Sequence, residues 1–247
     1  MKSWTRTLNL DDSHSLLALA ESGIALDIWT QRCHASLPDL SLGRRRELIR
    51  LLRDGFLSWS KDKLLTESLF FSCYTGAPAT AQIELLQLHW ALSHPITLAF
   101  TQTLLTEALQ RPTRGISLAE VDDTVRGLLS TTSEESSRKT RTVLLNALEG
   151  IGTLITSGTG LHRTLWAAQA APHPLVFGYL ILRDLEESGE NSMMAIEAVE
   201  SSLATRVTCC DLQHARTCLE WNIESEILYR RNDEVGAGPN ASSDATR

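Results

Sequence analysis

The sequence contains none of the short motifs that usually mark a catalytic or cofactor-binding site. It has no phosphate-binding P-loop, no Gly-x-Gly-x-x-Gly, no His-Glu-x-x-His and no Gly-x-Ser-x-Gly. His89, His94 and His173 are isolated histidines, for which packing or a surface position is a commoner role than catalysis. We therefore expect a protein that is not an enzyme and that takes no cofactor or small-molecule substrate.

Cysteine is scarce and is not arranged in pairs. There are five cysteines and no Cys-x-x-Cys, which favours a reducing cytoplasm over a disulfide framework. The N-terminal residues include no apolar segment typical of a signal peptide. Cys210, His214 and Cys218 recur every four residues, but the outer two are about 12 Å apart along a helix. Since zinc binds sulfur at about 2.3 Å, we expect a core stripe and no metal site.

Long, purely apolar runs are also absent. Residues 85–106 carry no formal charge, but nine of them are polar and Pro95 interrupts the run. Residues 164–182 are uncharged too, with Pro172 and Pro174 inside them. A membrane-spanning helix needs about 20 mostly apolar residues. We therefore expect buried helices and no membrane partner.

Excess positive charge is missing from the chain as a whole. The net charge is −7, and residues 183–234, with 12 acidic side chains and five arginines, account for all of it. The remaining residues carry 18 basic and 18 acidic side chains. Nucleic-acid binding would therefore depend on local clusters of basic residues, and the acidic third would suit a basic partner.

The spacing of apolar residues predicts a mainly α fold with a helical bundle over residues 13–112. Its helices are expected at 13–36, 42–57, 61–74, 79–92 and 96–110, with Pro95 in the first turn of the last. Residues 113–170 form a second predicted region, and 171–234 an acidic C-terminal helical region. Helices are expected there at 175–187, 192–203 and 211–222. Residues 235–247 have the composition of a disordered tail.

The second region has the pattern of a winged helix-turn-helix. Ser117 and Glu120 have the capping-box spacing at the start of a helix over 118–129, and Thr132 and Glu135 repeat it at the start of the next. The second helix has an apolar stripe and an opposite polar face, and Gly150 and Gly152 favour its end. Residues 153–156 and 161–166 then predict a hairpin around a turn at 157–160. The apolar stripe consists of Val143, Leu144, Ala147, Leu148 and Ile151.

Basic residues occur on this second helix, on the hairpin and in a dense stretch at 44–53. Arginine and lysine suit phosphate oxygens, and short polar side chains on a recognition helix suit base edges. Two alternatives stay open: solvated helix faces, and salt bridges within the protein. The second helix also contains three acidic residues that would weaken DNA binding: Glu134, Glu135 and Glu149. The predicted DNA contacts are Arg44, Arg45, Arg46, Arg50, Arg53, Arg138, Lys139, Arg141, Thr142, Asn146 and Arg163, with His162 also on the predicted wing.

The order of these features resembles the BrxA family of BREX bacteriophage-exclusion systems. The similarity extends from about Ser13 to Tyr229 and includes GRRRELIRLL, HPITLAF, SSRKTRTVLLNALEGIGTL and HPLVFGYLILRDLEESG. It implies a bundle resembling the NusB fold and a DNA-binding component that acts beside a methyltransferase, an ATPase and a phosphatase-like partner. No catalytic residues carry over. The acidic C-terminal third does not match the family pattern.

The expected function is that of a cytoplasmic, non-enzymatic accessory protein of phage defence. It would bind double-stranded DNA mainly through phosphates and would contact other subunits of a defence complex. Two alternatives remain. One is a protein-interaction scaffold that assembles defence subunits without touching DNA, and the other is RNA binding through the helical bundle.

Overall fold

The computed structural model describes residues 8–111, 113–129, 133–158, 163–188 and 196–224, and these are mainly helical, as predicted. Two small antiparallel sheets accompany the helices. The α-helices are α1 Leu10–Leu17, α2 Leu26–Ser36, α3 Leu42–Gly55, α4 Leu69–Gly76, α5 Ala79–Leu92, α6 Pro95–Phe100, α7 Thr106–Leu109, α8 Leu118–Leu129, α9 Glu134–Ile151, α10 Pro174–Ser188, α11 Leu203–Thr208 and α12 Leu212–Glu224. The strands are β1 Ser58–Trp59, β2 Leu65–Thr66, β3 Leu154–Ser157 and β4 Thr164–Ala167.

Helix α5 is the centre of the fold. It packs on α1, α4, α9 and α10, and Leu85, Leu86 and Leu88 are fully buried around it. Helix α10 in turn packs on α11 and α12. One continuous hydrophobic core joins side chains from all three regions expected from the sequence. The division of the chain at 112 and 170 stays a prediction.

The prediction of one helix over residues 13–36 is wrong, because the structure has two helices in this region, α1 and α2, with a turn between them. Gly23 adopts a φ of +79°, a left-handed conformation that a helix interior does not tolerate. Its N–H donates to Leu65 O at 2.9 Å, and Leu65 N donates to Ile24 O at 2.9 Å. The chain breaks here because these backbone groups pair with a segment about 40 residues away.

The second correction concerns that distant segment, around Leu65. Residues 61–74 were expected to be one helix, but β1 pairs with β2, Ser58 opposite Thr66 and Trp59 opposite Leu65. Lys63 lies at the turn with a φ of +59°. Helix α4 begins only at Leu69, where Ser68 Oγ accepts from Phe71 N at 3.2 Å. Pairing with residues 23–25 overrides the helical pattern of the sequence.

The uncharged run at 85–106 is buried along its apolar side, and its buried hydroxyl groups bond to the backbone. Pro95 lies in the first turn of α6, as predicted, and a π-helical segment, Thr101–Leu105, joins α6 to α7. The buried hydroxyls of Thr97 and Thr101 donate to Ala91 O at 2.8 Å and to Thr97 O at 3.0 Å. No helix within the described residues is long and apolar enough to cross a membrane.

Helices α8 and α9 and the β3–β4 hairpin follow the predicted order. Ser117 Oγ accepts from Glu120 N at 3.2 Å and Ser117 N donates to Glu120 Oε2 at 2.9 Å, which confirms that capping box. Helix α9 has Ser133 as its N-cap, and it ends at Gly152 with a φ of +85°. The predicted cap was Thr132, so the helix begins one residue later than predicted, and Thr132 itself lies outside the described residues. Of the turn predicted at 157–160, residue 157 belongs to β3, and residues 159 and 160 lie outside the described residues.

The C-terminal helices are more divided than expected. Helix α10 agrees with the prediction, but a 3₁₀ helix, Ile196–Ser201, and α11 occupy the described part of the helix predicted at 192–203 and continue beyond it. Ser202 ends the first and caps the second, because its Oγ accepts from Thr205 N at 3.3 Å. The predicted tail at 235–247 lies outside the described residues.

Candidate nucleic-acid interface

Helix α9 has one exposed polar stripe. Arg138, Thr142 and Asn146 follow one another at four-residue intervals and are exposed, and Lys139 is exposed beside them. The opposite side of α9 is buried and packs on α5, α8 and β3. Because the apolar positions fix which side faces the core, the outer side is the one expected from the sequence.

The cations of this stripe are only weakly engaged. Arg138 has no ion-pair partner within the described residues, and Thr142 Oγ1 donates to Arg138 O at 3.1 Å. Lys139 Nζ lies 2.7 Å from Glu135 Oε1, and this hydrogen bond lowers the pKa of the Glu135 carboxyl. Both of these side chains are more than half exposed, and such surface pairs contribute little and are easily exchanged for a phosphate. The stripe is therefore available to a partner.

Arg141 is turned inward. Its Nη1 lies 2.8 Å from Asp122 Oδ1 and 2.6 Å from Asp122 Oδ2, and the two side chains are 23% and 27% exposed. Asp122 belongs to α8, so this ion pair joins the two helices. Arg141, a predicted phosphate contact, thus has an internal partner.

Arg163 has an internal position as well. Its Nη2 donates to Glu149 Oε1 and lies 3.1 Å from Thr156 Oγ1, and the Thr156 hydroxyl also bonds to Glu149. Glu149 lies on α9, Thr156 on β3, and Arg163 directly precedes β4. These three side chains, the hairpin brace, hold the hairpin against the helix. His162, predicted on the same wing, lies outside the described residues.

The hairpin has an apolar outer face and an inner face in the core. Leu154 and Leu165 are buried, whereas Ile155 is 56% exposed opposite Trp166. Trp166 Nε1 donates to Ser157 Oγ at 3.0 Å. An isolated bridge between Ile116 and Leu165 adds a third backbone segment beside β4. The hairpin is therefore attached to α9 through the hairpin brace and to the segment at Ile116 through this bridge.

Charge around this unit is balanced. Residues 113–170 contain six basic and six acidic side chains. Any attraction for an anion therefore comes from the local arrangement of Arg138 and Lys139 and not from a long-range field. Arg126, exposed on α8 and without an ion-pair partner within the described residues, is a further cation that the sequence reasoning missed. A single arginine has no spacing pattern that would reveal it.

The arginine-rich helix α3 is elsewhere in the fold, packed on α1 and α2. Arg44 pairs with Glu47 at 3.0 Å, Arg45 donates to His34 O at 2.9 Å, and Arg53 pairs with Asp54 at 2.6 Å. Arg46 and Arg50 are exposed and have no such partner among the described residues. The structure thus separates five predicted contacts into three engaged and two available arginines.

The isolated histidines have packing roles. Burial lowers the pKa of His89 to about 4. His89 Nε2 lies 2.8 Å from Gly55 O, which only accepts, so Nε2 carries the proton and Nδ1 accepts from the Tyr179 hydroxyl. His94 packs edge-on against Trp90, with ring centroids 4.7 Å apart. His173 Nδ1 accepts from Leu175 N at 3.2 Å.

The Cys210–His214–Cys218 stripe faces the core. Both cysteines are buried, and burial raises the pKa of Cys218 to about 12, so its thiolate is strongly disfavoured. His214 Nε2 lies 2.9 Å from Pro172 O and 3.3 Å from Cys218 Sγ. Within the described residues, no group of three possible ligands could hold a metal ion.

Comparisons with protein-family models, with curated proteins and with solved structures gave no match.

Proposed function

We propose that residues 114–167 act as a winged helix-turn-helix and that the protein binds duplex DNA through α9. The observation that carries this proposal is the exposed stripe of Arg138, Lys139, Thr142 and Asn146 on a helix followed directly by a braced hairpin. The order of the Ile116 bridge, α8, α9 and the hairpin fits such a unit. Arg138 and Lys139 would take phosphates, with Thr142 and Asn146 nearest to base edges.

The wider role follows from the resemblance noted above. As a cytoplasmic, non-enzymatic accessory protein of a BREX-type phage-defence system, with an N-terminal bundle like the NusB fold, it would position DNA for other subunits. Specificity for sequence would be low, since only two polar side chains of the stripe suit base edges. Affinity would come mostly from phosphates and would fall as salt rises.

Charge reversal tests the interface. The double variant Arg138→Glu/Lys139→Glu should reduce the affinity for a random-sequence duplex at least tenfold at low salt. A matched control is Lys61→Glu/Arg216→Glu, which changes the net charge equally at two exposed positions outside α3 and α9. Equal loss in both variants would mean that only overall charge matters, and unchanged binding in the first would exclude α9 as the interface.

A protein-interaction scaffold is the second candidate, and the exposed Ile155 beside Trp166 favours it. An apolar pair on the outside of a charge-balanced unit is typical of protein contacts. In a scaffold, the uncharged substitution Ile155→Ser would abolish subunit binding, and the wild type would show no duplex affinity. In a protein that binds DNA through α9, the same substitution would leave duplex affinity within about twofold, since it removes no phosphate contact and adds no charge. RNA binding through the bundle, the third alternative, is tested by competition between duplex DNA and structured RNA.

A further inference from the structure

Two arginines on α3 form a second exposed basic surface. Arg46 and Arg50 lie about 6 Å apart along the helix axis, on the side opposite the buried Leu48, Ile49 and Leu52. Their neighbours Arg44, Arg45 and Arg53 have partners within the protein. Arg46 and Arg50, the α3 pair, are therefore the two arginines of this helix that have no hydrogen-bonded or ion-pair partner among the described residues, and the charge of Arg50 also acts on the Asp54 carboxylate.

The central helix α5 separates the α3 pair from the stripe on α9. The Gln87 side chain occupies the space where a Cβ at Gly150 of α9 would lie. His89 bonds to Gly55 O, where α3 ends. Gln87 and His89 are two residues apart, so they project about 200° apart around α5. Helix α9 and the end of α3 therefore lie on nearly opposite sides of α5.

This placement has a geometric consequence for a DNA ligand. Helix α9 packs directly on α5, whereas α3 packs on α1 and α2 and reaches α5 at its C-terminal end. Each exposed surface lies on the side of its helix that faces away from the core. The charged side chains are separated by more than the helix axes are. A straight duplex lying along α9 does not reach around the protein to Arg46 and Arg50.

We propose that the α3 pair binds the phosphates of a second nucleic-acid segment, so that one molecule of the protein bridges two duplex segments. The inference rests on the proposed function of α9. A guanidinium fork matches phosphate oxygens, and two forks one helical turn apart can engage successive phosphates of one strand. An acidic protein is the competing partner, but it lacks the regular line of charges that a nucleic-acid backbone offers.

Stoichiometry and bridging test the proposal together. A short random-sequence duplex is titrated into the full chain at low salt, and in parallel an immobilised duplex is used to capture a second, labelled duplex through the protein. The wild type should bind two duplexes per chain and capture the second. Arg46→Glu/Arg50→Glu should bind one duplex per chain and capture at least tenfold less of the labelled duplex. Arg46→Gln/Arg50→Gln should reduce capture too, but by less, because glutamine does not repel phosphates. Lys61→Glu/Arg216→Glu is the matched control and should retain both.

The outcomes separate this inference from the proposed function. Binding of one duplex per chain by the wild type, unchanged in the α3 variants, overturns bridging and leaves the α9 interface standing. Wild type that binds no duplex overturns both. A third outcome is that the α3 variant loses all duplex binding while Arg138→Glu/Lys139→Glu binds as the wild type does. That result overturns both the α9 interface and bridging. If the α3 variant keeps its DNA stoichiometry but no longer binds polyglutamate, an acidic protein is the partner and the proposal fails.

Discussion

Substitution of Gly178 by alanine tests a close crossing of two helices, α10 and α12. A Cβ built at Gly178 lies 2.6 Å from Asn222 Cγ, far inside van der Waals contact. Asn222 is fully buried, and its Nδ2 donates to Pro174 O and Cys218 O, each at 2.7 Å. The alanine methyl group would therefore displace Asn222 or push the two helices apart.

The expected change in the free energy of unfolding has three contributions. Alanine in place of glycine favours a helix interior by about 1 kcal/mol. Loss of the two Asn222 hydrogen bonds costs about 1 kcal/mol each, and overpacking costs about 1–3 kcal/mol. The free energy of unfolding should thus fall by about 2–4 kcal/mol. For a chain of this size, that lowers Tm by roughly 5–15 °C.

Thermal and denaturant unfolding, followed by circular dichroism, measure the change. Gly127→Ala in α8 is the matched control, because a Cβ there meets no atom within 4 Å, and it should raise the stability by up to about 1 kcal/mol. In an Asn222→Ala background, Gly178→Ala should become neutral or stabilising because the obstructing side chain is gone. Equal stability of Gly178→Ala and the wild type would refute the close α10–α12 crossing.

Three further predictions concern ion pairs and titration. Arg163→Ala should cost about 1 kcal/mol and speed amide exchange in the hairpin, but should leave the salt dependence of DNA binding unchanged; a shallower dependence would make Arg163 a phosphate contact. Arg141→Ala should lower the free energy of unfolding in urea by about 1–2 kcal/mol, because Asp122 is left half-buried and unpaired. The swapped pair Asp122→Arg/Arg141→Asp should recover part of this loss, and an unchanged stability of Arg141→Ala would mean that the pair does not join α8 to α9. The pKa of His89 is about 4 in the fold against 6.5 as a reference, so the unfolded chain takes up the proton first. The stability contribution is complete above about pH 6.5 and falls towards pH 4 by at most about 1.4 kcal/mol per pH unit; an identical pH slope in His89→Gln would contradict this.

Local signals in the sequence predicted the parts of the fold that local interactions determine. Helix α8 begins where the Ser117–Glu120 capping box places it, and Gly152 ends α9 by adopting the left-handed conformation that glycine favours. The apolar stripe of α9 likewise fixes which side faces solvent. In these cases the partners are three or four residues apart, so the spacing alone contains the information.

The failures share a different cause. The breaks around Gly23 and Lys63 depend on hydrogen bonds between Gly23, Ile24 and Leu65, which a local pattern does not contain. The candidate interface has the same limit. The sequence identified Arg138 and Asn146 as exposed, but the partner of Arg141 is 19 residues away and that of Arg163 is 14 residues away. No periodicity signals such pairs, so exposed and engaged arginines look alike in the sequence.

The balance between these arginines decides how a duplex would be held. If Arg141 and Arg163 stay in their ion pairs, the α9 surface offers two or three phosphate contacts, from Arg138, Lys139 and Arg126. Affinity for the duplex on α9 would then be modest, and stable attachment would depend on additional subunits. The hairpin brace would contribute by fixing the angle of the hairpin and not by adding charge.

The most direct test of DNA binding through α9 is the salt dependence of duplex affinity for the wild type and for Lys139→Ala. Two or three phosphate contacts predict a slope of log K against log salt of roughly −2 to −3 for this surface, measured in Arg46→Gln/Arg50→Gln to isolate it. Removal of Lys139 should reduce the steepness by about 1. Binding that is absent at low salt, or a slope that Lys139→Ala leaves unchanged, would contradict the account.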